Sequence, residues 1–229
     1  MLHKSDGAEV RQVVIPPVGL AGTLHIPRGT HAIVVFAHGS GSSRLSRRNV
    51  AVANALNRQS MTTLLFDLLT VEEEADRANV FDIPLLANRL VDAVRWLDHE
   101  SKVVSLPLGL FGASTGAAAA LVAAAELGQR VGAVVSRGGR PDLAGGALDR
   151  IHTPTLLIVG GADSGVMEFN EFALSRLKGP KALEIVPGAS HLFPELGAME
   201  AVIGHAGRWF SQYLGFGPSR QTRTASVRH

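Results

Sequence analysis

Ser114, Asp163 and His191 follow one another in that order along the chain, each just after a short apolar run. A serine hydroxyl is a weak nucleophile at neutral pH. It needs an adjacent base, and the base needs a carboxylate to fix its tautomer and orientation. Ser114 lies in Gly112-Ala113-Ser114-Thr115-Gly116, where an apolar run ends in Gly-x-Ser-x-Gly and an alanine-rich helical stretch follows at once. That is the strand, sharp turn and helix of a nucleophile elbow. The turn strains the backbone at the serine and lifts its hydroxyl clear of the sheet. Gly112 and Gly116 remove side chains where strand and helix pass close together. The N–H of Thr115 stands at a helix N-terminus, where it can meet a developing oxyanion.

The other histidines fit the base role less well. His152 precedes a strand and so falls at the wrong edge of a sheet, and His205 lies inside the closing helical stretch. His191 sits in the loop Val186-Pro187-Gly188-Ala189-Ser190-His191, after the last strand pattern, where it can reach over the elbow. Asp163 leaves the end of Leu156-Leu157-Ile158-Val159 through Gly160-Gly161-Ala162 and is the preferred acid. Asp142 follows the preceding strand and is the alternative. Asp149 lies close to the start of the next strand and is the weakest candidate.

A second oxyanion donor should come from the loop after the third strand, which reads His38-Gly39-Ser40-Gly41. Ser40 is the expected N–H donor, ahead of Gly41, and His38 reads as a structural residue pinning the loop. Arginine forks suit carboxylates and phosphates. Arg137 is therefore a candidate for holding an anionic substrate, with a structural pair to Asp142 or Asp67 as the competing role. Arg140, Arg44, Arg47 and Arg48 carry the same ambiguity.

These residues must be held by something, and the surrounding patterns say what. Apolar β-branched runs at 10–18, 20–26, 32–37, 62–66, 131–135, 155–159 and 182–186 read as strands, the first two forming a hairpin at Pro16-Pro17. With the elbow strand they alternate with helical patterns at 48–58, 83–97, 117–125, 166–177 and 195–214. Such alternation implies an α/β fold, a mainly parallel sheet with helices on both faces and the site at the carboxyl ends of the strands. Residues 71–76 read as an acidic, solvated loop. Residues 1–217 are expected to form one domain, with 218–229 as a mobile basic tail.

With 46% hydrophobic residues in 229, the chain can bury a substantial core. It has no cysteine, which excludes disulfides, thiolate metal sites and a cysteine nucleophile. There are 22 bases against 20 acids, and three of the bases (Arg220, Arg223, Arg228) belong to the tail, so the body is near neutral. No basic stripe with interleaved aromatics supports nucleic-acid binding. No apolar run is long enough to span a bilayer, and the first residues show no apolar signal segment. A cytoplasmic location is expected.

His38-Gly39-Ser40-Gly41, Gly112-Ala113-Ser114-Thr115-Gly116, Gly160-Gly161-Ala162-Asp163 and Gly188-Ala189-Ser190-His191 together resemble the α/β-hydrolase superfamily, and within it the dienelactone hydrolase-like group of small, lid-less hydrolases. The resemblance runs from the third strand through the closing helix. It implies Ser114 as nucleophile, Asp163 as acid, His191 as base, and the amides of Ser40 and Thr115 as the oxyanion hole. Dienelactone hydrolases proper carry cysteine where this chain has Ser114, which favours serine esterase chemistry.

About twenty residues separate the strands ending near Val135 and starting near Thr155, too few for the helical lid that lipases insert there. The expected activity is hydrolysis of small carboxylic esters at an open site, with no metal or cofactor. Thioesterase, peptidase or acyltransferase chemistry uses the same triad. A non-catalytic binding domain of the same fold is the alternative from another class.

Overall fold

A computed structural model describes residues 7–215. Its centre is an eight-stranded sheet in the order β1-β2-β4-β3-β5-β6-β7-β8. The strands are β1 (Glu9–Ile15), β2 (Leu20–Ile26), β3 (Ala32–Ala37), β4 (Met61–Phe66), β5 (Leu108–Ala113), β6 (Val131–Arg137), β7 (Thr155–Gly160) and β8 (Lys181–Val186). β1 and β2 form the expected antiparallel hairpin, and β2 joins β4 antiparallel. From β4 to β8 every pairing is parallel. β3, β4, β5 and β7 are buried at every position, as continuous apolar strands covered on both faces must be.

Two apolar layers cover the sheet. On one face α4 (Ile83–Leu97) and α5 (Thr115–Leu127) pack over Leu64, Leu108 and Leu110. The run Ala117 to Ala120 at the start of α5 has little bulk to hold it away from the strands. On the other face α1 (Arg47–Arg58) and α7 (Ala198–Leu214) enclose Phe36, Phe111, Ala133 and Val135. Side chains alternate along a strand, so Arg137 falls on this second face, in line with Ala133 and Val135.

The stretch 71–76 departs from the loop expected of it. Two short helices form instead, α2 (Val71–Glu74) and α3 (Arg77–Val80). A capping box starts α2: Glu73 N–H donates to Thr70 Oγ1 at 3.2 Å, and Thr70 N–H donates to Glu73 Oε2 at 3.0 Å. Glu73 also pairs with Arg89 on α4 at 2.6 Å. The acidic run is thus a helix start tied to the scaffold.

Between β6 and β7 the only regular structure is a 3₁₀ segment, Pro141–Arg150. The insertion point expected to lack a helical lid holds none. α6 (Ser164–Arg176) completes the elements on the way to β8. The stretch 218–229 expected to form a tail lies outside the described residues. Among those described, no helix is long and apolar enough to cross a membrane.

Candidate active site

β5 ends at Ala113, and Ser114 takes φ 52° and ψ −123°, a region an L-residue rarely enters. Strain of this kind costs on the order of 1–3 kcal/mol and persists only where the surroundings fix it. Here they do. Ser114 N–H donates to Arg137 O at 3.3 Å, and Ser114 O accepts from Ala117 N–H and Arg140 N–H, both at 3.1 Å. Gly116 makes the turn passable, because a Cβ there would stand 2.4 Å from His38 O and 2.5 Å from Ala37 O. The oxyanion loop is equally close: a Cβ on Gly39 would lie 2.9 Å from Ser114 Cβ and 3.7 Å from its Oγ.

His191 leaves the loop after β8 and meets Asp163 from the loop after β7. His191 Nδ1 and Asp163 Oδ2 are 2.8 Å apart. The histidine is about one-third exposed and the aspartate more enclosed. Ser190 N–H donates to Glu195 Oε1 at 3.0 Å, which fastens the loop from its far side and holds the Glu195 carboxyl below its ordinary pKa. Gly138, at φ 51°, lies against the histidine. A Cβ there would approach His191 O to 2.9 Å, the Phe193 ring to 3.2 Å and His191 Cε1 to 3.7 Å. Gly138 directly follows Arg137, whose carbonyl takes the Ser114 N–H. The end of β6 therefore touches both the serine turn and the histidine loop.

The competing acids have other partners. Asp142 forms a two-pronged pair with Arg140 at 2.9 and 2.8 Å, and Asp149 pairs with Arg176. Asp67 accepts the Arg44 N–H at 2.8 Å and the Arg44 guanidinium. His152 borders a cavity of about 440 Å³ with Gly128 and Arg150, away from the elbow. His205 lies on α7, 3.5 Å from Glu184.

His38 is bound at both ring nitrogens. Nδ1 is 3.0 Å from Gly39 O, and Nε2 accepts from Leu68 N–H at 3.0 Å. Only the neutral ring with its proton on Nδ1 satisfies both. Burial holds the His38 pKa below the ordinary value for histidine, against the opposing pull of the Gly39 bond and the Asp67 charge.

The two residues expected to form the oxyanion hole touch each other. Ser40 N–H donates to Thr115 Oγ1 at 2.9 Å. Thr115 is the first residue of α5, so its own N–H has no acceptor within the helix. A cavity of about 230 Å³ opens beside this loop, bounded by Gly39, Ser40, Leu68, Val71, Val80 and Leu86. Its outer wall is α2 and α3.

Arg137 makes neither of the pairs expected of it, since Arg140 and Arg44 occupy Asp142 and Asp67. It is 5% exposed, donates to Asn49 Oδ1 at a long 3.4 Å, and sits 5.9 Å from the centre of the Phe193 ring. Asn49 and Phe193, its two neighbours, lie outside the residues that motif and spacing point to. Phe193 follows His191 by two residues, which was the available signal. Asn49 gave none, because it reads as one polar residue in a helix.

A family model described as an alpha/beta hydrolase domain matches residues 30–201. The chain belongs to the α/β-hydrolase family. The crystal structure of a dienelactone hydrolase from Anabaena variabilis is 54% identical, with TM-score 0.87, over 90% of this chain and 99% of that one. A lid-less serine hydrolase from Xanthomonas campestris has the same fold at 22% identity and TM-score 0.72, over 92% of this chain and 97% of that one. The Mycobacterium tuberculosis protein named "Putative phosphoribosyl transferase" is 57% identical over 209 residues, 91% of this chain but 47% of its own length. The α/β-hydrolase chain thus spans about half the length of that curated relative.

Proposed function

We propose that this chain is a serine hydrolase of small carboxylic esters working through an acyl-enzyme. The observation that carries the reading is the 2.8 Å contact between His191 Nδ1 and Asp163 Oδ2, in a loop packed on the strand end that also holds the strained Ser114. Asp163 fixes the proton on Nδ1 and leaves Nε2 free to act as base. His191 Nε2 takes the Ser114 Oγ proton as Oγ bonds to the ester carbonyl carbon. The carbonyl oxygen becomes an oxyanion facing the Thr115 and Ser40 amides. Collapse expels the alkoxide, which takes the proton from His191. Water then attacks the acyl-serine with His191 again as base, releasing the acid and restoring the serine.

The 230 Å³ cavity beside Ser40 supports an acyl group of modest size, bounded by Leu68, Val80 and Leu86. Thioesters would be cleaved by the same steps. The relative named for phosphoribosyl transfer is about twice as long as the part that matches, and the shared part is an alpha/beta hydrolase domain. The deciding experiment is intact mass after treatment with a fluorophosphonate, with peptide mapping and the Ser114→Ala control. A single adduct on Ser114 is expected. Folded protein that takes up no label would sink the reading.

A further inference from the structure

One buried polar side chain on α6 reaches toward the serine turn, and the hydrolytic steps above make no use of it. Asn170 is 0% exposed. Its Nδ2 donates to Val166 O, one turn back in the helix, at 2.7 Å. It also donates to Gly139 O, in the loop after β6, at 3.1 Å. Only the NH2 end of an amide can serve two carbonyls. Its Oδ1 is buried with no hydrogen-bond partner among the described residues. An apolar side chain would avoid the cost of that unpaired oxygen. What Asn170 adds is its hold on Gly139.

The Gly139 carbonyl and the Arg140 N–H belong to one peptide group. It is planar and trans, so its C=O and N–H point opposite ways. The Arg140 N–H donates to Ser114 O at 3.1 Å. Asn170 therefore stands at one end of this peptide and the nucleophile's own carbonyl at the other. Ser114 O has a second donor, Ala117 N–H, but that one belongs to the helix start itself. The position also demands a glycine. A Cβ on Gly139 would lie 2.0 Å from Ser136 Oγ and 2.6 Å from Ala117 Cβ. Glycine rotates more freely than any other residue. If the peptide turned over, its oxygen would face Ser114 O and its N–H would be withdrawn.

α6 is well placed to prevent this. Phe169, next to Asn170, lies under the Arg140 guanidinium at 4.4 Å, so two consecutive residues of the helix meet the loop. The helix is also tied to the acid. Asp163 is its N-cap, with the carboxylate turned to His191 and not to the helix. One helix thus starts at the acid and, about two turns later, holds the peptide behind the serine.

We infer that Asn170 is a positioning residue for the nucleophile: by fixing the Gly139–Arg140 peptide it sets the Ser114 backbone relative to the acid that begins the same helix. The inference rests on the hydrolase reading above and deepens it. Asn170 touches no reacting atom and acts through Ser114.

Asn170→Ser isolates the contact. A serine hydroxyl in a helix bonds back to the carbonyl four residues earlier, so the Val166 tie is kept, but the side chain stops one bond short of Gly139 O. With p-nitrophenyl acetate, kcat should fall about tenfold and KM should change by less than about twofold, inside the ~100-fold that a misplacement of about 1 Å costs. Fluorophosphonate labelling of Ser114 should slow by the same factor. Asn170→Asp has the native shape but an acceptor where the NH2 was; it should act the same way and serves where the serine variant does not fold. Leu177→Ala, at the other end of α6, removes a buried side chain and is the stability control. At a temperature where both variants are folded, it should label at the wild-type rate. Asn170→Ser labelled at the wild-type rate, a change confined to KM, or an equal slowing in Leu177→Ala would overturn the inference.

Amide hydrogen exchange, followed by NMR, reads the peptide itself and needs no turnover. The Arg140 N–H, bonded to Ser114 O, is compared with the Gly138 N–H, bonded to Ile158 O, in the same sample. Global opening exposes both alike, so the ratio of their rates reports local opening. In Asn170→Ser that ratio should rise about tenfold or more, and in Leu177→Ala it should not. A raised ratio in a chain whose wild type takes no fluorophosphonate label would keep the hold on the peptide and defeat the hydrolase reading. A labelled wild type with an unchanged ratio would keep the hydrolase and remove Asn170 from its machinery.

Discussion

Ser40 N–H donates to Thr115 Oγ1 across 2.9 Å, joining the loop after β3 to the first residue of α5. Both residues belong to the proposed oxyanion hole, so the hydroxyl holds the distant amide in place and also occupies it before substrate arrives. Its role is then to set the loop's position and to yield the amide as charge develops. Removing a donor outright costs roughly 100- to 1,000-fold in turnover; removing an anchor should cost less. Thr115→Ala should lower kcat about tenfold with little change in KM, and Thr115→Ser should restore most of it. Full activity in Thr115→Ala would show that the bond has no part in positioning Ser40.

Asp163 meets His191 at Nδ1, and the other nearby acids are paired with arginines. Asp163→Asn keeps the shape but can hold the wrong tautomer. It should lower kcat by roughly three to four orders of magnitude while leaving the melting temperature nearly unchanged. Asp142→Asn should instead act through stability, by loss of the Arg140 pair. If the two variants exchanged these effects, the acid would be misassigned.

Gly138 stands at φ 51° with His191 and Phe193 against it. A methyl group there must move the histidine loop, which Glu195 holds from the other side. Gly138→Ala should slow fluorophosphonate labelling of Ser114 at least tenfold and lower stability by about 1–3 kcal/mol, the cost of a strained backbone position. Denaturant unfolding and labelling rate, measured on the same preparation, check both. A variant labelled at the wild-type rate would separate Gly138 from the catalytic geometry.

The elements that position the site were legible because their signals are local. Gly-x-Ser-x-Gly after an apolar run fixes strand, turn and helix together, and alternation of apolar runs fixes the parallel sheet. The pairing of acids was not legible, because it depends on side chains brought together by the fold. Asp142 lies two residues from its arginine, but Asp149 is 27 residues from Arg176. The acidic run Glu72-Glu73-Glu74 masks the α2 helix, although Thr70 three residues before Glu73 is a capping-box spacing. The sequence signal of Arg137 is its guanidinium at a strand end. That it is buried, against Phe193 and with no acid paired to it among the described residues, follows from strand alternation and loop packing, which spacing alone does not convey.

His38 provides a test of the scaffold beneath the oxyanion loop. Its Nε2 accepts the Leu68 N–H, so a proton added there would face a donor. Burial accordingly keeps its folded pKa low, while the unfolded chain titrates near the free value of about 6.5. Above that value the ring is neutral in both states and its contribution does not vary with pH. As pH falls below about 6.5, the unfolded chain takes up a proton that the folded chain refuses, so stability declines toward the lower folded pKa and levels off beneath it. His38→Gln can still donate to Gly39 or accept from Leu68, but it does not titrate. It should be less stable at pH 7.5 by about 1–3 kcal/mol, through strained or lost bonds. Its unfolding midpoint should then fall less between pH 7.5 and 5 than that of the wild type. The other histidines are common to both chains, so the difference in slope isolates His38, and equal slopes would mean that its burial does not govern acid stability.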